Sequence, residues 1–136
     1  MKLQIVVSWR FLFIGKDYKK GCDFVKKLEI ITRPEKLEDI KELMNKQGIY
    51  GMTASMVSGC GMQKGRKEVY RGTEITINLL PKVKIETVVK AELVEGLVGK
   101  IVEIVKTGEV GDGKIFIYSV EEVVKIRTGE KGRSAL

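Results

Sequence analysis

Three stretches of the 136-residue sequence combine glycines with basic residues in patterns that could bind phosphate. The first, Gly108–Lys114, fits the pattern G-x-x-x-x-G-K but lacks the serine or threonine that holds magnesium in a P-loop. Its glycines let backbone N–H groups converge on an anion, and Lys114 adds a positive charge. A helix is predicted before the loop and a strand after it, the reverse of the P-loop order. Anion binding and an ordinary helix-to-strand connection therefore both stay open.

The second stretch, Gly59–Gly72, opens a polar, glycine- and lysine-rich loop that is predicted to run to about Leu80. Loops of more than about 12 residues inside a compact domain are usually functional or disordered. The segment is too long for a tight hairpin between the strands predicted on either side, and a solvated charged loop is the alternative. Cys60 lies between glycines near Lys64, so a reactive thiol is a further hypothesis.

The third stretch, Lys125–Gly132, carries basic residues at positions i and i+2, namely Lys125 and Arg127. On a strand, this spacing places both side chains on the same side. They would then either clamp phosphates or form a solvated edge.

Two β-α-β units are predicted to position these stretches, because β-branched runs favour strands and apolar residues at helical spacing favour helices. The predicted order is strand 28–32, helix 35–47, strand 52–57, strand 83–89, helix 92–106 and strand 114–118. Two such units predict an α+β, ferredoxin-like βαββαβ sandwich with both helices on one face of an antiparallel sheet. The other sheet face includes apolar residues, so we expect further copies of the chain to cover it.

The composition excludes the commonest hydrolytic sites. The chain has no histidine, and its two cysteines, Cys22 and Cys60, are too few for a disulfide framework or a four-thiolate metal site. A reducing, cytoplasmic compartment is expected. Residues 1–27 hold seven of the 25 basic and two of the 18 acidic residues, so most of the net charge of +7 lies there. The remaining body is nearly balanced, which disfavours direct binding to nucleic acid.

Residues 1–27 are predicted to form an extension outside a folded domain at 28–136. Polar residues interrupt its apolar run and no small-residue cleavage site follows, so a signal peptide is disfavoured. The run is also shorter than the about 20 residues that span a bilayer, and no membrane insertion is expected. A peripheral membrane anchor, an added strand, a disordered extension and a start site mis-assigned upstream of Val25 are the interpretations.

Residues 28–136 resemble the PII family of nitrogen regulatory signal-transduction proteins. The matching runs are Arg33–Leu37, Gly51–Thr53, Gln63–Gly65, Tyr70–Glu74, Leu80–Glu86, Thr107–Gly108, Gly111–Phe116 and Ile126–Glu130. So many matches in order are more specific than a lone glycine motif. The resemblance implies a homotrimer of ferredoxin-like subunits, each with a long T-loop, that binds ATP or ADP in clefts between neighbouring subunits.

The resemblance also implies which residues bind the nucleotide. They are Thr53, Gly61, Met62, Val88, Gly111, Asp112, Gly113, Lys114, Lys125 and Arg127. In the family, the loop at 107–116 cradles the phosphates, and a basic pair from the other subunit faces them. The family usually has arginine where this chain has Lys125, and lysine lacks the bidentate fork. Met62 stands where many members have a base.

The T-loop is implied to sense 2-oxoglutarate beside Mg-ATP. The residues that would bind 2-oxoglutarate are Gln63, Lys64, Gly65 and Lys82. Gln63 would also give an oxygen to Mg²⁺, which prefers hard oxygen ligands, and Lys82 would pair with a carboxylate.

The resemblance implies a regulator without catalytic residues. Its T-loop would bind protein targets such as nitrogen-metabolism enzymes, kinases or an ammonium channel, with a role in nitrogen fixation or transcription regulation. The uridylylated tyrosine of the family falls at Ile75, whose aliphatic side chain cannot accept a nucleotidyl group. Thr73 and Tyr70 are the hydroxyls that remain as candidates for modification. The alternatives are a sensor of adenylates only, a weak ATPase and a basic nucleic-acid-binding protein.

Overall fold

A computed structural model describes residues 25–61, 66–77 and 79–136 of the chain. The strands and helices are β1 (Val25–Thr32), α1 (Leu37–Lys46), β2 (Met52–Gly59), β3 (Arg66–Tyr70), β4 (Thr73–Ile77), β5 (Leu80–Lys90), α2 (Val94–Val105) and β6 (Lys114–Ser119). Short 3₁₀ turns precede both helices and a third lies near the C-terminus. No helix among these residues is long and apolar enough to cross a membrane.

Four strands form one antiparallel sheet in the order β2-β5-β1-β6, and β3 pairs with β4 in a separate hairpin. Alternate residues of β1 and β5 are buried, and they pack against both helices on one face of the sheet. The residues of this core include Leu28, Ile30, Ile40, Met44, Val83, Ile85, Leu97 and Ile101. This arrangement confirms the predicted ferredoxin-like fold.

The boundaries of α1 follow from the local sequence. Pro34 opens the 3₁₀ turn that leads into the helix, where its missing N–H costs nothing because first-turn donors have no partner within the helix. The helix ends at Lys46, and Gly48 follows with a φ of 72°, a left-handed conformation that glycine adopts without strain.

β1 begins three residues before the predicted strand, because residues 25–27 pair with residues 88–90 of β5. The long connection between β2 and β5 also contains a hairpin of its own, β3 and β4, which the sequence analysis did not predict. Arg71 and Gly72 form its two-residue turn, with φ values of 50° and 80°. Positive φ at both central residues is the geometry that matches the twist of a hairpin.

The segment Lys125–Gly132 forms a turn and not a strand. The N–H groups of Thr128 and Gly129 donate to the carbonyl of Lys125, which closes a turn, and only the bridge between Val124 and Lys131 is strand-like in this segment. The i, i+2 spacing therefore does not place Lys125 and Arg127 on one side of a strand.

Charged residues are prominent on the sheet face opposite the helices. Lys27 Nζ lies 2.5 Å from Glu86 Oε1, and Lys84 Nζ lies 3.6 Å from Glu86 Oε2. The hydrogen bond from Lys27 is the main reason that the pKa of Glu86 is lowered. Phe116, which pairs with Glu29 of β1, is 38% exposed. This face is thus more polar than the sequence pattern suggested, and its burial between copies of the chain stays a prediction.

We expect a chain that starts at Val25 to fold like the full-length protein. The sheet register starts at the pair between Val25 and Lys90, and the buried residues of the main hydrophobic cluster all lie between Leu28 and Val105. Circular dichroism and thermal unfolding of the full-length and shortened chains would test this. Loss of cooperative unfolding in the shortened chain would show that residues 1–24 are part of the fold.

Candidate functional site

The glycine loop (residues 107–113), which joins α2 to β6, is held by side chains from the central strands and the residue that follows β1. Three consecutive carbonyl groups in it each accept a hydrogen bond from outside the loop. Arg33 Nη2 donates to the carbonyl of residue 110 at 2.9 Å, Lys82 Nζ to that of residue 111 at 2.7 Å, and Thr32 Oγ1 to that of residue 112 at 2.8 Å. The loop is therefore anchored to the sheet along one side.

The Asp112 carboxylate is engaged within the glycine loop itself. It accepts hydrogen bonds from the N–H groups of Thr107 and Gly108, both at 2.9 Å, and from the Thr107 hydroxyl. These bonds, led by the Thr107 hydroxyl, lower the pKa of Asp112 to about 2, and Arg33 contributes to the shift. Asp112 was predicted to bind nucleotide, and the structure gives its carboxylate a loop-shaping role.

Gly113 allows the glycine loop to approach β1. Its φ is 101°, and a Cβ atom added there would lie 1.8 Å from the carbonyl oxygen of Ile31. That distance is far inside van der Waals contact, so no other residue fits without moving the backbone.

Lys82 and Lys114 supply positive charge around the glycine loop. Burial lowers the pKa of Lys82, and the neighbouring Arg33 guanidinium lowers it further. Lys114 begins β6, opposite Ile31 of β1, and is exposed. Its ammonium group has no hydrogen-bond or ion-pair partner among the residues that the structure describes.

A second group of predicted residues lines a different cavity, of about 1020 Å³, beside the edge strand β2. We call it the strand-edge cavity; its walls include Thr53, Glu86, Val88, Lys90, Lys125 and Leu136. This volume is at the upper end of the range for small-molecule sites. Three of the predicted nucleotide-binding residues thus meet in one concave surface.

Lys125 and Arg127 have different surroundings. Lys125 is half-buried and its ammonium lies 3.5 Å from Glu130 Oε2. The pKa of Glu130 is lowered by the Thr128 hydroxyl and then by Lys125. Arg127 is exposed on the turn and is not among the residues that line the strand-edge cavity.

The glycine loop and the strand-edge cavity are separate within one chain. A smaller groove is lined by Asp112, Gly113 and Lys114, and it shares no described lining residue with the strand-edge cavity. The sheet order explains the separation, since β2 and β6 form opposite edges. The predicted nucleotide set is therefore split into two clusters.

Several predicted residues of the T-loop lie outside the described part of the chain, namely Met62, Gln63, Lys64 and Gly65. Gly61 is described and is exposed two residues beyond the end of β2. Ile75 is in β4, and Tyr70 and Thr73 are exposed on either side of the hairpin turn. The Arg71 guanidinium lies over the Tyr70 ring, 5.5 Å from its centre.

Sequence reasoning missed Thr32, Arg33 and Thr107 as residues of the site. Arg33 and Thr107 do fall in the runs that carry the family resemblance, which was a usable signal. The roles of Thr32 and Arg33 depend on contacts across about 80 positions of sequence, which no local pattern predicts. Thr107 bonds to Asp112 only five positions away, so its role is local.

The four-stranded antiparallel sheet, the two helices on one face and the glycine loop anchored to the sheet define a ferredoxin-like domain. The family model for nitrogen regulatory protein P-II matches residues 25–130. The P-II protein of Haemophilus influenzae is 48% identical over 112 residues, which is 82% of this chain and all of the relative.

Solved structures agree with the sequence match. The B. subtilis GlnK–ATP complex is 38% identical with a TM-score of 0.69, covering 84% of this chain and 99% of that one. Arabidopsis thaliana PII bound to citrate is 38% identical with a TM-score of 0.67, covering 84% and 94%. The chain belongs to the P-II family of nitrogen regulatory proteins.

The low pKa of Asp112 predicts how the glycine loop responds to acid. A carboxyl group whose pKa falls from 3.8 to about 2 on folding stabilises the folded state above pH 3.8. That stabilisation is lost as the pH falls through about 2. We therefore expect Asp112→Asn to unfold at a lower temperature than the wild type at neutral pH, with the difference shrinking below pH 3.8.

Thermal unfolding of both proteins from neutral to acidic pH measures this difference. Asp39→Asn is the matched control, because Asp39 is an exposed carboxylate that pairs with Lys36 on the helix surface. A difference that did not depend on pH would show that the charge of Asp112 does not hold the loop.

Proposed function

We propose that the protein is a cytoplasmic, non-enzymatic, trimeric regulator that binds ATP or ADP together with 2-oxoglutarate and controls protein targets through its T-loop. In this proposal the nucleotide lies between two subunits. The glycine loop of one subunit faces the phosphates, and the strand-edge cavity and basic residues of its neighbour complete the site.

The separation of the two clusters is the observation that carries this proposal. The glycine loop, with the exposed charge of Lys114, and a cavity of ligand size lie apart in one chain, so a ligand that contacts both is best accommodated between two copies. A P-II relative solved as an ATP complex supports the choice of nucleotide. A relative solved with bound citrate supports a carboxylate effector, for which Lys82 is the candidate cation.

Lys114 is the first residue to test, because its ammonium group is exposed and has no partner among the described residues. We expect Lys114→Ala and Arg127→Ala each to weaken ATP binding by about 1.5–3 kcal/mol, the usual contribution of a hydrogen bond to a charged group. Neither side chain has a partner among the described residues, so its loss should leave folding unchanged. Isothermal titration with ATP measures the effect, with Lys41→Ala, an exposed lysine of α1, as the control. Unchanged affinity in both variants would place the nucleotide elsewhere.

Mixed trimers test whether the site is shared between subunits. If Lys114 comes from one chain and Arg127 from the next, co-assembled Lys114→Ala and Arg127→Ala chains should contain some intact sites. Random mixing of equal amounts restores about one site in four, because each site draws one residue from each of two neighbours. ATP titration of the mixture counts these sites, and light scattering checks the trimer. A site formed within one chain would give no restored sites.

The effector is tested through Lys82 and Gln63. Binding coupling is reciprocal, so 2-oxoglutarate should tighten Mg-ATP binding in the wild type. We expect Lys82→Ala and Gln63→Ala to lose this gain. Both should still bind ATP alone, with a lower affinity in Lys82→Ala because that variant also loses the bond to the carbonyl of residue 111. The first variant leaves a carboxylate without its cation, and the second removes an oxygen from the metal.

Lys84→Ala is the matched control for the effector test, because Lys84 lies two residues from Lys82 on β5 and pairs with Glu86 instead. Titrations with ATP in the presence and absence of 2-oxoglutarate decide the outcome. Equal ATP affinity in both conditions for the wild type would make the protein a sensor of adenylates only, which is the second candidate.

A further inference from the structure

We infer that Arg33 is a positioning residue for anion binding. It contacts the glycine loop at residues 110 and 112 and thereby directs the N–H groups of the loop toward a phosphate ligand. The inference deepens the proposed nucleotide site and rests on it for the identity of the anion.

The hydrogen bonds to the loop carbonyl groups also determine the direction of the loop N–H groups, because of peptide geometry. In a trans peptide, the C=O of one residue and the N–H of the next point in opposite directions. The described part of the chain has no cis peptide bond. Since the carbonyls of residues 110–112 point toward Arg33, Lys82 and Thr32, the N–H groups of residues 111–113 point away from these side chains. Consecutive N–H groups with a common direction form an anion-binding concavity.

Arg33 contacts the glycine loop at two places. Its Nη2 donates to the carbonyl of residue 110 at 2.9 Å, and its Nε lies 3.5 Å from Asp112 Oδ1. Asp112 in turn accepts from the N–H groups of residues 107 and 108. The guanidinium therefore contacts residues 110 and 112 directly, and the Asp112 carboxylate links it to residues 107 and 108 at the start of the loop.

The backbone and the surroundings of Arg33 favour a fixed guanidinium. The residue has extended geometry, with φ −67° and ψ 140°, and the following Pro34 disfavours the helical alternative. Its Nε is buried and has no hydrogen-bond partner among the described residues, although Asp112 is close. A small movement of the loop toward Arg33 would complete this bond. Site hydrogen bonds are often long in the free protein and shorten in the complex.

Lysine at this position would keep the charge without the planar fork that reaches both contacts. Arg33→Lys therefore tests the positioning role alone, because the positive charge is kept while the two-point contact is lost. We expect this variant to bind ATP about tenfold to a hundredfold more weakly than the wild type, the size of effect expected when hydrogen bonds of a charged group are lost. Arg33→Met, which keeps the stem of the side chain, should weaken binding at least as much. Lys36→Met is the control, because it removes one positive charge from the same segment, where Lys36 pairs with Asp39.

Backbone amide NMR signals provide a readout that does not need ATP. In the ligand-free Arg33→Lys protein, the signals of Gly111, Asp112 and Gly113 should shift while those of the core of α1 do not. Wild-type ATP affinity in Arg33→Lys, or unshifted loop signals, would overturn the inference. If the wild type itself does not bind ATP, the proposed nucleotide site fails, and the amide signals still decide whether Arg33 positions the loop.

Discussion

The close approach of the glycine loop to the end of β1 is the constraint on which the candidate site depends. The loop can lie there only because Gly113 has no Cβ atom, which would otherwise lie 1.8 Å from the carbonyl oxygen of Ile31. This approach brings the loop within reach of Thr32, Arg33 and Lys82, whose donors each take one carbonyl. The same contact orients the N–H groups on the other side, and the proposed anion site depends on that orientation.

Charged residues are arranged differently at the glycine loop and on the open face of the sheet, which is the face opposite the helices. At the loop, Arg33 and Lys82 lie close enough for Arg33 to lower the pKa of Lys82, and Asp112 offsets part of their charge. On the open face, Glu86 is bonded to Lys27 and also paired with Lys84. Glu86 also lines the strand-edge cavity, so a ligand there would meet a carboxylate that already has its own cations.

The antiparallel sheet separates the two clusters of predicted residues while fixing the shape of each. β2 and β6 are opposite edges, and both are held in register by the central pair β1 and β5. A ligand that needs both clusters would act as a link between chains, and its affinity would depend on assembly. The T-loop emerges between β2 and β5, close to Lys82, where a change in ligand could reach it directly.

The sequence determined the order of strands and helices, the ferredoxin-like class and the family, because periodicity, turn residues and ordered motifs are local properties. It also located the glycine loop and Lys82. The tertiary structure decided what these residues do to one another. Local sequence predicted neither the turn at Lys125 nor the hairpin turn at Arg71, and it did not predict that the Asp112 carboxylate closes the glycine loop. The hydrogen bond from Arg33 to the carbonyl of residue 110 joins positions 77 residues apart in the chain. Only the packing of β1 against the loop before β6 brings them together.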